Sequence, residues 1–115
     1  MTKHEQYNVK FSKFFHSRLN QYMYEAIRII DTGESYVISR MLNALGRTGC
    51  SFLLDDINKA LNGQPFEPEF NYGTQMFSDD DYIEIKNNGT IDIGTVIFPL
   101  ADIKQLLEEW IAFAK

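Results

Sequence analysis

Residues 82–93, Tyr-Ile-Glu-Ile-Lys-Asn-Asn-Gly-Thr-Ile-Asp-Ile, constrain the fold of this chain more than any other stretch. Isoleucine alternates with polar side chains on both sides of Asn87-Asn88-Gly89. A period of two interrupted by a turn signal predicts a β-hairpin. Loop length then decides the register. A two-residue Asn88-Gly89 turn pairs Ile85 with Asp92 and Glu84 with Ile93, which sets carboxylates against isoleucines on both faces. A three-residue Asn87-Asn88-Gly89 loop is a type I turn closed by glycine in the left-handed region. It pairs Ile85 with Ile91, Ile83 with Ile93, Lys86 with Thr90 and Glu84 with Asp92, so that one face is all isoleucine and the other polar. The second register is the one expected.

That register creates a puzzle of charge. Glu84 and Asp92 become cross-strand neighbours of like sign, an arrangement that destabilises by about 0.2–1 kcal/mol. Asp79, Asp80 and Asp81 precede the strand, and Lys86 is the only cation close by in sequence. Residues 1–64 hold eight Lys or Arg against six Asp or Glu, whereas residues 65–115 hold three against ten. An acidic half argues against a phosphate-binding patch there and points to a basic partner or to solubility alone. The plainest reading of the carboxylates is a solvated strand edge that resists aggregation. A docking surface for a cationic partner is the functional alternative. A metal site fits poorly, because consecutive strand residues point to opposite faces and the calcium-loop spacing is absent.

The rest of the chain reads as helices. Phe11, Phe15, Leu19, Tyr22, Ala26 and Ile30 recur every three or four residues, which predicts one long helix over 9–33 ended by Asp31-Thr32-Gly33. A second is expected over 34–46, with Val37, Ile38, Met41, Leu42 and Leu45 inward and Gly46 as terminator. A third is expected over 51–63, with Ser51 as N-cap and Leu53, Ile57, Ala60 and Leu61 inward. Pro65 and Pro68 mark an extended connector, and residues 74–77 a short strand. Beyond Gly94, residues 95–98 are apolar on both faces and are expected to be well covered. A closing helix follows Pro99, with Ile103, Leu106, Leu107, Trp110 and Ala114 on its inner face. The expected fold is therefore α+β in a single domain over 1–115: an N-terminal three-helix segment, a small antiparallel sheet with a hairpin at 82–98, and a C-terminal helix.

Parts for catalysis are few. His4 is expected in a mobile terminus and His16 as a packed or surface histidine. Cys50 is the sole cysteine, which excludes an intrachain disulfide and suits a reducing compartment. It reads as a small buried thiol rather than a nucleophile. The stretch Leu-Gly-Arg-Thr-Gly-Cys-Ser lacks the Lys-Ser/Thr ending of a phosphate loop, and no serine-hydrolase, zinc-protease or dinucleotide motif occurs. Asp55-Asp56 and Glu108-Glu109 read as solvated helix faces, and Tyr22, Tyr24 and Tyr36 as packing groups. No apolar run is long enough for a membrane span, and the first ten residues are too polar for a signal peptide.

Two stretches carry a family resemblance. Residues 34–63, ESYVISRMLNALGRTGCSFLLDDINKALNG, resemble the middle of immunity proteins from bacterial contact-dependent growth inhibition systems: a helix, a Gly-containing turn with Cys-Ser-Phe, then an acidic segment. Residues 81–113 resemble their C-terminal strand pair and helix. The resemblance implies a cytoplasmic, non-catalytic protein that binds a cognate toxin domain, often a ribonuclease, as a 1:1 heterodimer. No cofactor, no metal, no direct nucleic-acid contact and no membrane attachment are expected. Immunity families diverge at the contact surface, so the site must come from physics. A nuclease cleft is cationic, and the residues expected to meet it are Asp79, Asp80, Asp81, Glu84 and Asp92, with Tyr82 as aromatic anchor. The alternatives are an acidic adaptor or nucleic-acid mimic for another basic partner, and a small enzyme dependent on Cys50 or a metal.

Overall fold

The computed structural model describes residues 1–69 and 82–114. Its elements run α1 (Lys3–Gln6), β1 (Val9–His16), β2 (Gln21–Arg28), α2 (Gly33–Leu61), β3 (Ile83–Ile85), β4 (Thr90–Ile93), β5 (Val96–Pro99) and α3 (Leu100–Phe113). The class is α+β, with two small antiparallel sheets, β1–β2 and β3–β4–β5. The expected N-terminal three-helix segment is corrected: the long helix is central, and a β-hairpin stands where the first helix was expected. The expected short strand over 74–77 lies outside the described residues.

The hairpin wins over the helix for a physical reason. Val9, Phe11, Phe14, Phe15, Tyr22 and Tyr24 are β-branched or aromatic, residues that fit a pleated surface and lose side-chain freedom in a helix. The spacing of four from Phe11 to Phe15 to Leu19 imitates a helical stripe, but Phe11 and Phe15 also share one face of a strand, and Leu19 falls in the loop. Strand pairing runs from Val9 opposite Arg28 to His16 opposite Gln21. A four-residue loop over 17–20 closes it, with Asn20 at φ +52, a value asparagine tolerates better than other side-chain-bearing residues. At the base, Val9 and Ala26 are buried, and Phe11 and Tyr24 pack against the core. The outer edge of β2 is closed there by a side chain: Asn43 Oδ1 accepts from Ala26 N at 2.8 Å, and Asn43 Nδ2 donates to Ala26 O at 3.0 Å. An amide on α2 thus replaces a neighbouring strand.

Thr32, expected to end a helix, begins one. Its hydroxyl accepts from Ser35 N at 3.0 Å, and Ser35 Oγ accepts from Thr32 N at 2.9 Å, a reciprocal cap. Both expected central helices are present, joined in α2 with a break at Gly46, where φ is +66 and ψ −171. The chain resumes helix at once, so Ser51 lies inside the helix rather than capping it. Ile38, Met41, Leu42, Leu45, Leu53 and Ile57 are buried as expected, whereas Leu61 is exposed. Gly63 follows the helix at φ +70, and Gln64 N donates to Lys59 O at 2.8 Å, which satisfies a terminal carbonyl. The backbone at Gly46 is a region open essentially to glycine alone. A Cβ there would meet nothing within 4 Å, so Gly46→Ala carries backbone strain without a clash. The expected loss is about 1–3 kcal/mol, read from the urea midpoint, and an unchanged midpoint would contradict it.

The second sheet has the expected register: Ile83 faces Ile93, Glu84 faces Asp92 and Ile85 faces Ile91. Lys86 N donates to Thr90 O at 2.9 Å, Gly89 takes φ +83, and Asn88 Oδ1 accepts from the Thr90 hydroxyl at 2.6 Å. After Ile93 the chain turns at Gly94-Thr95, and β5 returns beside β4, with Ile97 opposite Asp92 and Phe98 opposite Ile91. The connector reaches the other edge, where Ile85 N donates to Pro68 O at 2.7 Å. The inner face (Ile83, Ile85, Ile91, Ile93 and Phe98) joins the inward residues of α2 and α3 in one core cluster. The expected cover over residues 95–98 holds for Phe98 and fails for Ile97, which is exposed.

The N-terminus is tethered, not loose. Glu109 accepts from Lys3 N at 2.9 Å and His4 N at 3.0 Å, so this carboxylate is a helix cap and not a solvated face. His4 Nδ1 lies 2.8 Å from Val9 O, and its ring stacks on Phe11 at 4.0 Å. Asp102 accepts from Tyr7 Oη at 2.6 Å and pairs with Lys3 Nζ at 3.1 Å. Burial pushes the Asp102 carboxyl up, but the hydrogen bonds from Tyr7 and Lys3 outweigh it and hold the group below its ordinary value of 3.8. A carboxyl lowered by folding contributes stability that is present above its unfolded pKa and lost as pH falls through its folded pKa. Acidification below the ordinary carboxylate range is therefore expected to loosen α1. Amide exchange of residues 3–7 in wild type and Asp102→Asn checks this: the variant should show the loosening already at neutral pH and little further change in acid.

Candidate protein-binding interface

The alternation that buries isoleucine on one face of the β3–β4–β5 sheet presents the other face outward. Across its centre run Glu84, Asp92 and Ile97, one from each strand and directly opposite one another. Tyr82 precedes β3 with the same parity as Glu84. Tyr82 is 49% exposed and Ile97 67%, so two apolar side chains stand in solvent beside the carboxylates.

Lys86 resolves the like-charge pair. Its Nζ lies 3.1 Å from Glu84 Oε1 and 3.6 Å from Asp92 Oδ2, one ammonium shared by two carboxylates. The hydrogen bond to Glu84, with the charges of Glu84 and Asp92, holds the Lys86 ammonium above the ordinary lysine range. It therefore stays charged throughout the neutral range. The three groups retain one net negative charge, and the lysine draws both carboxylates toward one point on the outer face. A groove of about 460 Å³ adjoins Lys86, lined also by Leu61, Gln64, Phe66, Asn87 and Leu100.

Of the six residues expected at the site, Glu84 and Asp92 are brought together and Tyr82 is close to them in the chain and exposed. Asp79, Asp80 and Asp81 lie outside the described residues. Sequence reasoning missed Ile97. The signal was available in its parity: it alternates with buried Phe98 in a strand beside β4, but that strand's pairing was not assigned.

Cys50 is fully buried in the core, and burial pushes its thiol up to about 12. His16 lies in the distal part of the β1–β2 hairpin, where its Nδ1 accepts from Leu19 N at 3.3 Å. Among the described residues, no group of three or more His, Cys, Asp or Glu is placed to hold a metal ion. No described helix is long and apolar enough to cross a membrane. The chain matches no known protein family, no curated protein and no solved structure.

Proposed function

We propose that this chain is an immunity protein of the contact-dependent growth inhibition type, a cytoplasmic inhibitor that binds the basic nuclease domain of a cognate toxin one-to-one. The observation that carries the reading is the outer face of the β3–β4–β5 sheet. There Ile97 and Tyr82 are exposed beside the Glu84–Lys86–Asp92 cluster, on a sheet whose opposite face is packed into the core. Such a surface combines what a tight interface needs: apolar anchors, a polar surround of one net sign, and side chains already held in place. A cationic cleft that closes over Ile97 also gains the surplus negative charge. Electrostatic attraction then raises the encounter rate, an effect that weakens with salt.

The reading expects a large secreted effector with a variable C-terminal domain to be encoded beside this chain, and the test uses that domain; a neighbourhood without such a gene would count against the reading. Co-expression should protect cells. The pair Glu84→Lys and Asp92→Lys should slow association at low salt by about tenfold or more, with the melting temperature close to wild type. Association at the wild-type rate would remove this face from the binding site. Failure of the wild-type chain to protect would remove the immunity reading.

A further inference from the structure

The β1–β2 hairpin ends in an exposed arm that the toxin-binding face leaves unexplained. Phe14 and Phe15 are consecutive and so point to opposite faces of the arm, yet they are 43% and 53% exposed. Leu19 in the loop and Tyr22 beyond it are each 56% exposed. Phe15 and Tyr22 meet edge to face at 5.4 Å, and Lys13 Nζ lies 4.3 Å above the Tyr22 ring, so these three side chains form one ordered patch. The distal arm is also basic: residues 12–25 contain Lys13 and Arg18 against a single carboxylate, Glu25, whereas Arg28 at the base is taken by Asp31 at 2.7 Å. Folding uses the base of the hairpin, where Val9 and Ala26 are buried, and asks for none of these groups at its end.

We infer that the Lys13–Phe15–Tyr22 patch of one copy docks on the outer face of the β3–β4–β5 sheet in a second copy of this chain. The two surfaces are complementary in both respects that matter. The patch offers aromatic rings and ammonium or guanidinium groups; the sheet face offers Ile97, Tyr82 and a carboxylate pair that a single Lys86 does not neutralise. Lys13, whose contact among the described residues is the Tyr22 ring, gains a carboxylate partner in Asp92 or Glu84. The contact joins unlike surfaces, so it is head-to-tail: reciprocal in a dimer where both arms engage, open-ended otherwise. It needs no toxin, because both surfaces belong to this chain, but it uses the same sheet face as the proposed toxin contact. Where both hold, a toxin domain and a second copy compete for one face.

Sedimentation velocity of the full chain over a wide concentration range, at low and high salt, tests the inference. Wild type should self-associate at low salt and dissociate at high salt. Phe15→Ser on the arm and Asp92→Lys on the face should each weaken association by about tenfold or more, with unchanged circular dichroism and melting temperature. The decisive mixture combines the two variants. The intact arm of the Asp92→Lys chain should dock on the intact face of the Phe15→Ser chain, giving a 1:1 pair at concentrations where neither variant associates by itself. A protein that stays monomeric throughout would overturn the inference. So would an Asp92→Lys chain that associates like wild type, or a mixture that fails to pair. Arm-dependent binding of monomers to phosphatidylglycerol vesicles or to a single-stranded oligonucleotide would assign the arm to those ligands instead.

Discussion

Replacing Trp110 by alanine is expected to cost about 3–5 kcal/mol, a large share of the 5–15 kcal/mol or so that holds a domain of this size together. Trp110 is only 2% exposed and is the largest side chain in the core. It sits where three parts of the fold meet. Phe11, from the base of the β1–β2 hairpin, meets its ring edge-on at 5.0 Å, and Phe113, one turn further along α3, stacks beside it at 6.3 Å. Phe11 in turn carries the His4 ring that anchors α1. Truncation therefore opens a cavity and also removes the surface on which the hairpin base rests. Trp110→Phe should be far milder. The indole Nε1 is buried with no hydrogen-bond partner among the described residues. An unpaired buried donor costs about 1–3 kcal/mol, so its removal offsets part of the lost packing. Urea unfolding followed by circular dichroism measures both variants, since the chain has a single tryptophan and its fluorescence goes with the substitution. A loss below about 1 kcal/mol for Trp110→Ala would mean that the hairpin base and α3 are not packed through this ring.

What the sequence revealed depended on whether the decisive force was local. The 83–93 hairpin was legible to the register, because Asn87-Asn88-Gly89 and the isoleucine alternation admit one solution with a consistent face. The two halves of α2 were legible for the same reason: their apolar stripes and Gly46 act within the segment. The β1–β2 arm was not. Phe11 and Phe15 satisfy a helical period and a strand period together, and the choice is made by Trp110, Phe113 and Asn43, which arrive from distant parts of the chain. Lys86 was visible as the nearby cation, but whether it bridges Glu84 and Asp92 depends on where the chain goes after the strand. Ile97 needed the pairing of β5, which no turn signal alone could fix. The acidic face was thus readable as charge and unreadable as a surface. Tyr82 was readable as one anchor; Ile97, the more exposed of the two, was the missing component, and the pair beside the carboxylates turns a solvated edge into a candidate interface.

The register makes the two faces of one sheet respond oppositely to the same substitution. Ile91→Asp is expected to leave the chain largely unfolded at neutral pH. Ile91 is fully buried, between Ile85 on β3 and Phe98 on β5, in a row that holds no cation. An unpaired carboxylate there costs several kcal/mol even after relaxation, comparable with the whole stability of a domain of this size. The sign of the pH dependence follows. Burial raises the pKa of the introduced acid in the folded state, so its penalty is greatest above that raised value and shrinks as pH falls and the group binds a proton. Circular dichroism should therefore show Ile91→Asp recovering structure on mild acidification, before the general loss caused by the native carboxylates sets in. Ile97→Asp sits opposite Asp92 on the outer face, where water reaches it. Its cost should be limited to like-charge repulsion of about 0.2–1 kcal/mol, with a melting curve near wild type. Under the proposed immunity function the same substitution removes the apolar anchor, so it should weaken binding to a cognate toxin domain by about 2 kcal/mol or more, roughly thirtyfold in Kd. A folded Ile91→Asp at neutral pH would refute the register. A folded Ile97→Asp that binds like wild type would leave the register intact and move the interface elsewhere on the molecule.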